Sequence, residues 1–277
     1  MKNIILTLLI LIVGAGCCPQ QQPTDSYLIL YAFDEEGTTI GTMIENKTVD
    51  TLLGREVYLG TLEGKNIVLA ESGIGMNNAA MTTQKMIDSY HIKGVVFTGI
   101  AGGIDSLVQI GDITVCDRWI QHDYGYYGKN GFSKSGIKIY NPKENKIKGE
   151  ALFKVDPDFF KIANMIDASQ LGLNLIGERL PKLITTGNGA SGNQFIDSKE
   201  KRQWLIDELN ARVVDMESSA VAQVCTVNDL PFIVFRSASD LAGGSGSETA
   251  DAQMEEFFQV AADNSALVVR EFFKKLP

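Results

Sequence analysis

Histidine and paired cysteine are scarce in this chain. Only two histidines, His91 and His122, occur among 277 residues, and the four cysteines lack metal-ligand spacing. Cys17 and Cys18 are adjacent, while Cys116 and Cys225 stand singly in apolar runs, as small core residues do. A zinc site is therefore not expected, and nothing in the sequence calls for a cofactor. Basic residues are also in deficit: 25 Lys and Arg against 34 Asp and Glu give a formal net charge of -9. That balance argues against a nucleic-acid surface, which needs clustered Lys and Arg to meet phosphates. The apolar run Ile4–Val13 is too short to span a bilayer as a mature helix. What is present, 44% hydrophobic residues with modest aromatic content, fits a globular fold with a substantial core.

The N-terminus reads as an export segment. Lys2 supplies a short positive region, Ile4–Val13 the apolar stretch, and Gly14-Ala15-Gly16 the small residues before Cys17. Small residues ending in cysteine resemble the lipobox of bacterial lipoproteins, with Gly14 where an aliphatic residue is usual. The resemblance implies lipidation of Cys17 and a membrane-anchored exported protein; an ordinary cleaved signal would instead leave it periplasmic or secreted. Residues 1–18 form this segment, the polar Gln-rich residues 19–26 a flexible tether, and residues 27–277 the folded domain.

Within the domain, Arg212–Ala242 carries the most information. Two apolar runs, Val213–Val214 and Phe232–Phe235, flank a segment with helical spacing, and each is followed by an acid, Glu217 and Asp240. Ligands of open α/β sheets sit beyond the carboxyl ends of strands, so parallel neighbouring strands would aim both acids into one crevice. A helix cap at Glu217 and a loop start at Asp240 fit the residues too.

Elsewhere, Tyr27–Phe33 reads as the first core strand, delivering Asp34-Glu35-Glu36 to a loop. Arg55–Leu62 and Lys65–Ala70 read as a hairpin. Glu71-Ser72-Gly73-Ile74-Gly75 leads into a helix through Tyr90, and Gly94–Thr98 is a buried-type strand closed by the small residues 99–103. Asp112–Asp117 resumes strand character, and residues 122–154 lack periodicity and read as a long excursion. A helix over Asp156–Gln170, a strand at Leu183–Thr186, a loop at 187–196, a helix over Ser198–Leu209 capped by Ser198, and a long amphipathic helix over Asp251–Lys275 complete the pattern. Strands alternating with helices indicate an α/β fold with a mixed central sheet.

From about Leu28 onward the chain resembles the nucleoside phosphorylase superfamily, and within it the bacterial 5'-methylthioadenosine/S-adenosylhomocysteine nucleosidases. The resemblance rests on AFDEE at 32–36, SGIGMNNAA at 72–80, TGIAGG at 98–103, GDI at 111–113, SGNQFI at 191–196, VVDMES at 213–218 and FRSASD at 235–240. It implies a three-layer α/β/α sandwich with a mixed, barrel-like sheet, a homodimer, and hydrolysis of an N-glycosidic bond that releases adenine. In that reading Asp240 protonates adenine N7, oriented by Ser239, and Glu36 activates the attacking water. Glu217 binds the ribose hydroxyls, Met216 packs under the ribose, Phe195 stacks on adenine and Ile196 reads its edge. Ala101 and Gly102 line the pocket, and Arg236 lies near the water.

The resemblance also separates water from phosphate as the nucleophile. Hexameric phosphorylases carry Arg and, three residues on, Ser before the glycine loop; here Phe97 and Ile100 hold those places. The chain departs from nucleosidases as well. Ile100 replaces a common Ser, Asn193-Gln194 replaces a loop acid, and the usual VEMEA appears as Val214-Asp215-Met216-Glu217-Ser218. A phosphorylase, and a non-catalytic surface protein that binds or stores nucleosides on the same fold, are the alternatives.

Overall fold

The computed structural model describes residues 24–244 and 249–277. The export segment, Cys17 and residues 19–23 of the tether lie outside these residues, while Ser26, assigned to the tether, opens the first strand. The central strand is Ile92–Gly103, buried from Gly94 onward. Its burial is unbroken because both faces of the sheet are covered. Ser26–Tyr31 and Phe232–Asp240 flank it, both parallel to it. Lys65–Glu71 lies parallel outside Ser26–Tyr31, followed by antiparallel Arg55–Leu62 and Glu45–Leu52. At its far end, Gly102 and Gly103 pair antiparallel with Ala211–Asp215. From there the sheet continues through Asn188–Ser191, Arg118–Gln121 and Phe153–Lys154. The mixed sheet thus branches at its central strand, and the branch point holds the glycine segment.

Strand alternation sorts the core into two faces. Leu28 and Leu30 pack with Ala79 and Met86 of helix Met76–Ser89 and with Val221 and Cys225 of helix Ser218–Val227. Ile29 and Tyr31 point the other way, toward Ile40 of helix Asp34–Thr42 and Phe272 and Phe273 of helix Ala250–Lys275. Two helical layers therefore enclose the sheet, as the three-layer expectation requires. Cys116 and Cys225 are both buried and unpaired, consistent with core packing.

Several elements differ from the sequence expectations. Residues 99–103 continue the central strand instead of closing it as a loop, because neighbours on both sides supply ladder partners. Asp34-Glu35-Glu36 forms the first turn of a helix, where acids meet the positive end of the dipole, and not a loop. Asn188–Ser191, read as loop, is an interior strand. The helix expected over Asp156–Gln170 stops at Ala163, with Asp156 capping the amides of Asp158 and Phe159 at 3.0 Å, and a short 3-10 turn follows at Ala168–Gln170. The excursion 122–154 has its own hairpins, Gly125–Gly128 with Gly131–Lys134 and Ile137–Asn141 with Lys146–Glu150. Ile139 roots the second hairpin in the core beside Val221. Ser198 caps helix Lys199–Leu209 through the Lys201 amide at 3.2 Å, as read. Among the described residues, no helix is long and apolar enough to cross a membrane.

Candidate active site

Asp240 ends the strand Phe232–Asp240 and is 2% exposed. One carboxylate oxygen accepts the Ala242 amide at 2.8 Å and the other accepts the Ser239 hydroxyl at 2.9 Å. Two donors favour the ionised form, but loss of water outweighs them and raises the Asp240 pKa to about 6. Gly102 makes this approach possible: a Cβ there would stand 2.9 Å from an Asp240 oxygen. The strands delivering Glu217 and Asp240 are not parallel neighbours. Each pairs with the central strand between them, Val214 and Asp240 meeting Gly102 from opposite sides. The two acids still line one cavity, because both strands end at the same glycines.

Glu36 reaches that cavity from the first turn of its helix, and it is 2% exposed. It accepts the Ala32 amide at 2.6 Å, the Ile100 amide at 2.7 Å and Arg236 Nη1 at 3.3 Å. Burial nevertheless raises its pKa, with Arg236 and the amides opposing in part. Ile100 thus serves Glu36 through its backbone, whatever its side chain. Gly99, in the left-handed φ range at 154°, leaves the space through which Glu36 and Arg236 meet.

Glu217 accepts the Gly75 amide at 2.8 Å, and Asn193 accepts the next amide, Met76, at 3.0 Å. Gly75 has no side chain to cap helix Met76–Ser89, so two residues from distant loops occupy its N-terminus. The Glu217 pKa is raised by burial, against the pull of Arg236. Arg236 is fully buried and does not line the cavity. Its guanidinium lies 4.1 Å from the centre of the Phe97 ring and approaches Glu36, Asp215 and Glu217 from behind. Arg236, grouped by the resemblance with the substrate-binding residues near the water, is set behind the cavity wall, and its charge acts through carboxylates.

The remaining expected residues do line the cavity: Ala101, Gly102, Phe195, Ile196, Met216 and Ser239. Phe195 is 46% exposed, an aromatic face free to receive a flat ring. The sequence reading missed Phe33, Ile74 and Met254, which come from three separate elements and add apolar wall. Asp215, which the sequence marks only as a departure from VEMEA, lines the cavity as well. No Lys, Arg or His side chain is among the described residues lining the cavity. Nor do three or more His, Cys, Asp or Glu side chains among them group to hold a metal ion. The arrangement offers one neutralisable acid at about the right pKa to give a proton, and three further carboxyl side chains, Glu36, Asp215 and Glu217, in an apolar pocket.

A family model described as the phosphorylase superfamily matches residues 27–274. The chain belongs to that superfamily. Within the phosphorylase superfamily it is 30% identical over 246 residues to a 5'-methylthioadenosine/S-adenosylhomocysteine nucleosidase of Marinomonas sp., covering 89% of this chain and 97% of the relative. A nucleosidase of the same name from Staphylococcus epidermidis is 32% identical over 247 residues, 87% of this chain and 96% of its own. The solved nucleosidase of Neisseria meningitidis, in complex with methylthio-immucillin-A, superposes with a TM-score of 0.75 at 28% identity, covering 91% of this chain and 100% of that one. The futalosine hydrolase of Helicobacter pylori matches with a TM-score of 0.75 at 26% identity, covering 91% of this chain and 98% of that one.

Proposed function

We propose that this protein hydrolyses the N-glycosidic bond of 5'-methylthioadenosine, S-adenosylhomocysteine or a related adenosine derivative and releases adenine. The observation that carries the proposal is the convergence of Glu36, Glu217 and Asp240 on one cavity whose wall, among the described residues, holds no cation. Adenine leaves poorly as an anion, so an acid must protonate it, and Asp240 has the raised pKa for that task. As the bond breaks the ribose gains oxocarbenium character, which nearby carboxylates stabilise. Glu217 holds the ribose hydroxyls while Glu36 takes a proton from water attacking the anomeric carbon. Phe195 stacks on the base, Ile196 reads its edge and Met216 supports the sugar.

Phosphorolysis would need cationic or multiple hydroxyl donors for a dianion. Arg236, the cation behind the cavity, is already engaged by three carboxylates. Incubation of the signal-free protein with a nucleoside panel therefore gives adenine and free sugar at the same rate with or without phosphate. Ribose-1-phosphate formation would replace hydrolysis with phosphorolysis, and binding without adenine release would favour a storage protein. Futalosine belongs in the panel because the hydrolase named for it superposes as well as the nucleosidase does. Sedimentation of the same preparation tests for the homodimer that the family resemblance suggests.

Export and lipid anchoring at Cys17 are part of the proposal, supported by Gly14-Ala15-Gly16-Cys17 after an apolar stretch. Such an enzyme would act on nucleosides outside the cytoplasm. Cys17→Ala moves the protein from the membrane to the soluble fraction; an unchanged membrane fraction would refute the anchor. Soluble wild type would instead fit a periplasmic or secreted form.

A further inference from the structure

Arg236 faces Glu36 and Glu217, so something must hold it from the opposite side. Phe97 supports the plane of the guanidinium, but a ring face does not fix its rotation. Asp215 does: its carboxylate lies 2.8 Å from Arg236 Nε. Ser218 joins them, accepting Arg236 Nε at 3.1 Å through its hydroxyl and donating that hydroxyl to Asp215. The other Asp215 oxygen accepts the Ser191 hydroxyl at 2.5 Å and the amides of Glu217 and Ser218 at 3.3 and 3.2 Å. Asp215 therefore touches the cation behind the site, the backbone that carries Glu217 and the neighbouring strand. All these side chains are buried. A network of this kind holds geometry only when each member keeps its partners.

We propose that Asp215 and Ser218 act as one unit that positions Arg236, and through it Glu36 and Glu217, for the hydrolytic step. The proposal rests on the nucleosidase reading of the site. Both residues depart together from the VEMEA pattern, which has a longer acid and no hydroxyl. Here the acid is shorter by a methylene and the hydroxyl fills the space beside it. A glutamate at 215 would drive its carboxylate into the Ser218 hydroxyl, which already touches Asp215. Each departure thus makes room for the other. Asp215 and Ser218 are positioning residues, since neither makes its contribution by reacting with substrate.

The test is a cycle of Asp215→Glu, Ser218→Ala and the double variant, with Asp215→Asn beside them. Asp215→Glu alone should lower kcat by about tenfold or more, and the double variant should recover to within about threefold of wild type. Asp215→Asn should lower kcat and also move the acidic limb of the pH profile to lower pH. The groups facing Glu36 are Arg236, Asp215 and the Ala32 and Ile100 amides, and Asp215 is the one that raises its pKa by charge. Glu217 faces Arg236, Asp215, Glu36 and the Gly75 amide, with the same sign from Asp215. Removing that charge eases ionisation of both, whereas a merely structural defect would reduce active enzyme without moving the limb. Failure of the double variant to recover, or an unmoved limb, overturns the proposal. Crystal structures of wild type and Asp215→Asn provide a readout without turnover: the Arg236 guanidinium should turn on the Phe97 face while staying within reach of Glu36. An unmoved guanidinium overturns the positioning role, while absence of adenine release from wild type would instead sink the nucleosidase reading.

Discussion

Asp240→Asn lowers kcat/KM for adenine release by about a thousandfold, the range of a lost general acid. Asparagine keeps the shape of the side chain and can still accept the Ala242 amide through its oxygen. It can direct an N–H toward a purine nitrogen, but it cannot surrender that proton as the base departs. Wild-type kcat/KM should fall as pH rises through about 6, where Asp240 loses its proton. The residual activity of the variant should lack this basic limb. The substitution should move stability at pH 7 in the opposite direction from activity. A carboxyl whose folded pKa is raised stabilises the fold fully below its unfolded value near 3.8, and that contribution is lost as pH rises through about 6. At pH 7 the wild type carries a buried charge worth up to roughly 3 kcal/mol of lost stability, from about two pKa units. Asp240→Asn should therefore melt above wild type at pH 7, and that advantage should shrink toward pH 4. Thermal melts at the two pH values check it. A variant that melts below wild type at pH 7 would mean that the Asp240 charge is compensated after all.

The chemistry of this site was more legible in the sequence than its geometry. Asp240 and Glu217 could be found because each follows a short apolar run, whereas Ser239 entered with the resemblance. Glu36 was found only through the resemblance. Three successive acids before a glycine have the composition of a solvated turn, and local pattern cannot reveal that a partner 200 residues away receives one of them. Asn188–Ser191 has the composition of a loop, yet strands on both sides supply the hydrogen bonds that keep it extended. The glycines at 99–103 likewise signalled a close approach without saying whether the chain would turn there or run straight on. Arg236 shows the limit most sharply. The resemblance places this cation near the water, but pairing on both sides of its strand and three carboxylates turn it inward. Asp215 was visible as a shortened acid, and its significance lay in Ser191, Ser218 and Arg236, none of which its own segment's periodicity relates to it.

Glu36→Gln should reduce adenine release by at least a hundredfold, and it should erase the acidic limb of the pH profile where Asp240→Asn erases the basic one. A carboxylate has roughly four acceptor sites. In Glu36 one oxygen takes the Ile100 amide and Arg236, and the other takes the Ala32 amide. That leaves about one site for a water on the cavity side, which fixes where the nucleophile stands. Glutamine removes the base and must also turn an N–H toward either Ala32 or the Ile100–Arg236 side, where donors already point. Water would then lose both its proton acceptor and its position. The base pocket is built from other elements, around Phe195 and Ile196, so adenine affinity measured by calorimetry should stay within about threefold of wild type. Loss of activity with adenine binding intact locates the defect in the nucleophile. Retention of the acidic limb in Glu36→Gln would assign the proton to Glu217, the other cavity carboxylate that Arg236 approaches and burial raises. The two acids would then exchange duties, with Glu36 holding the sugar.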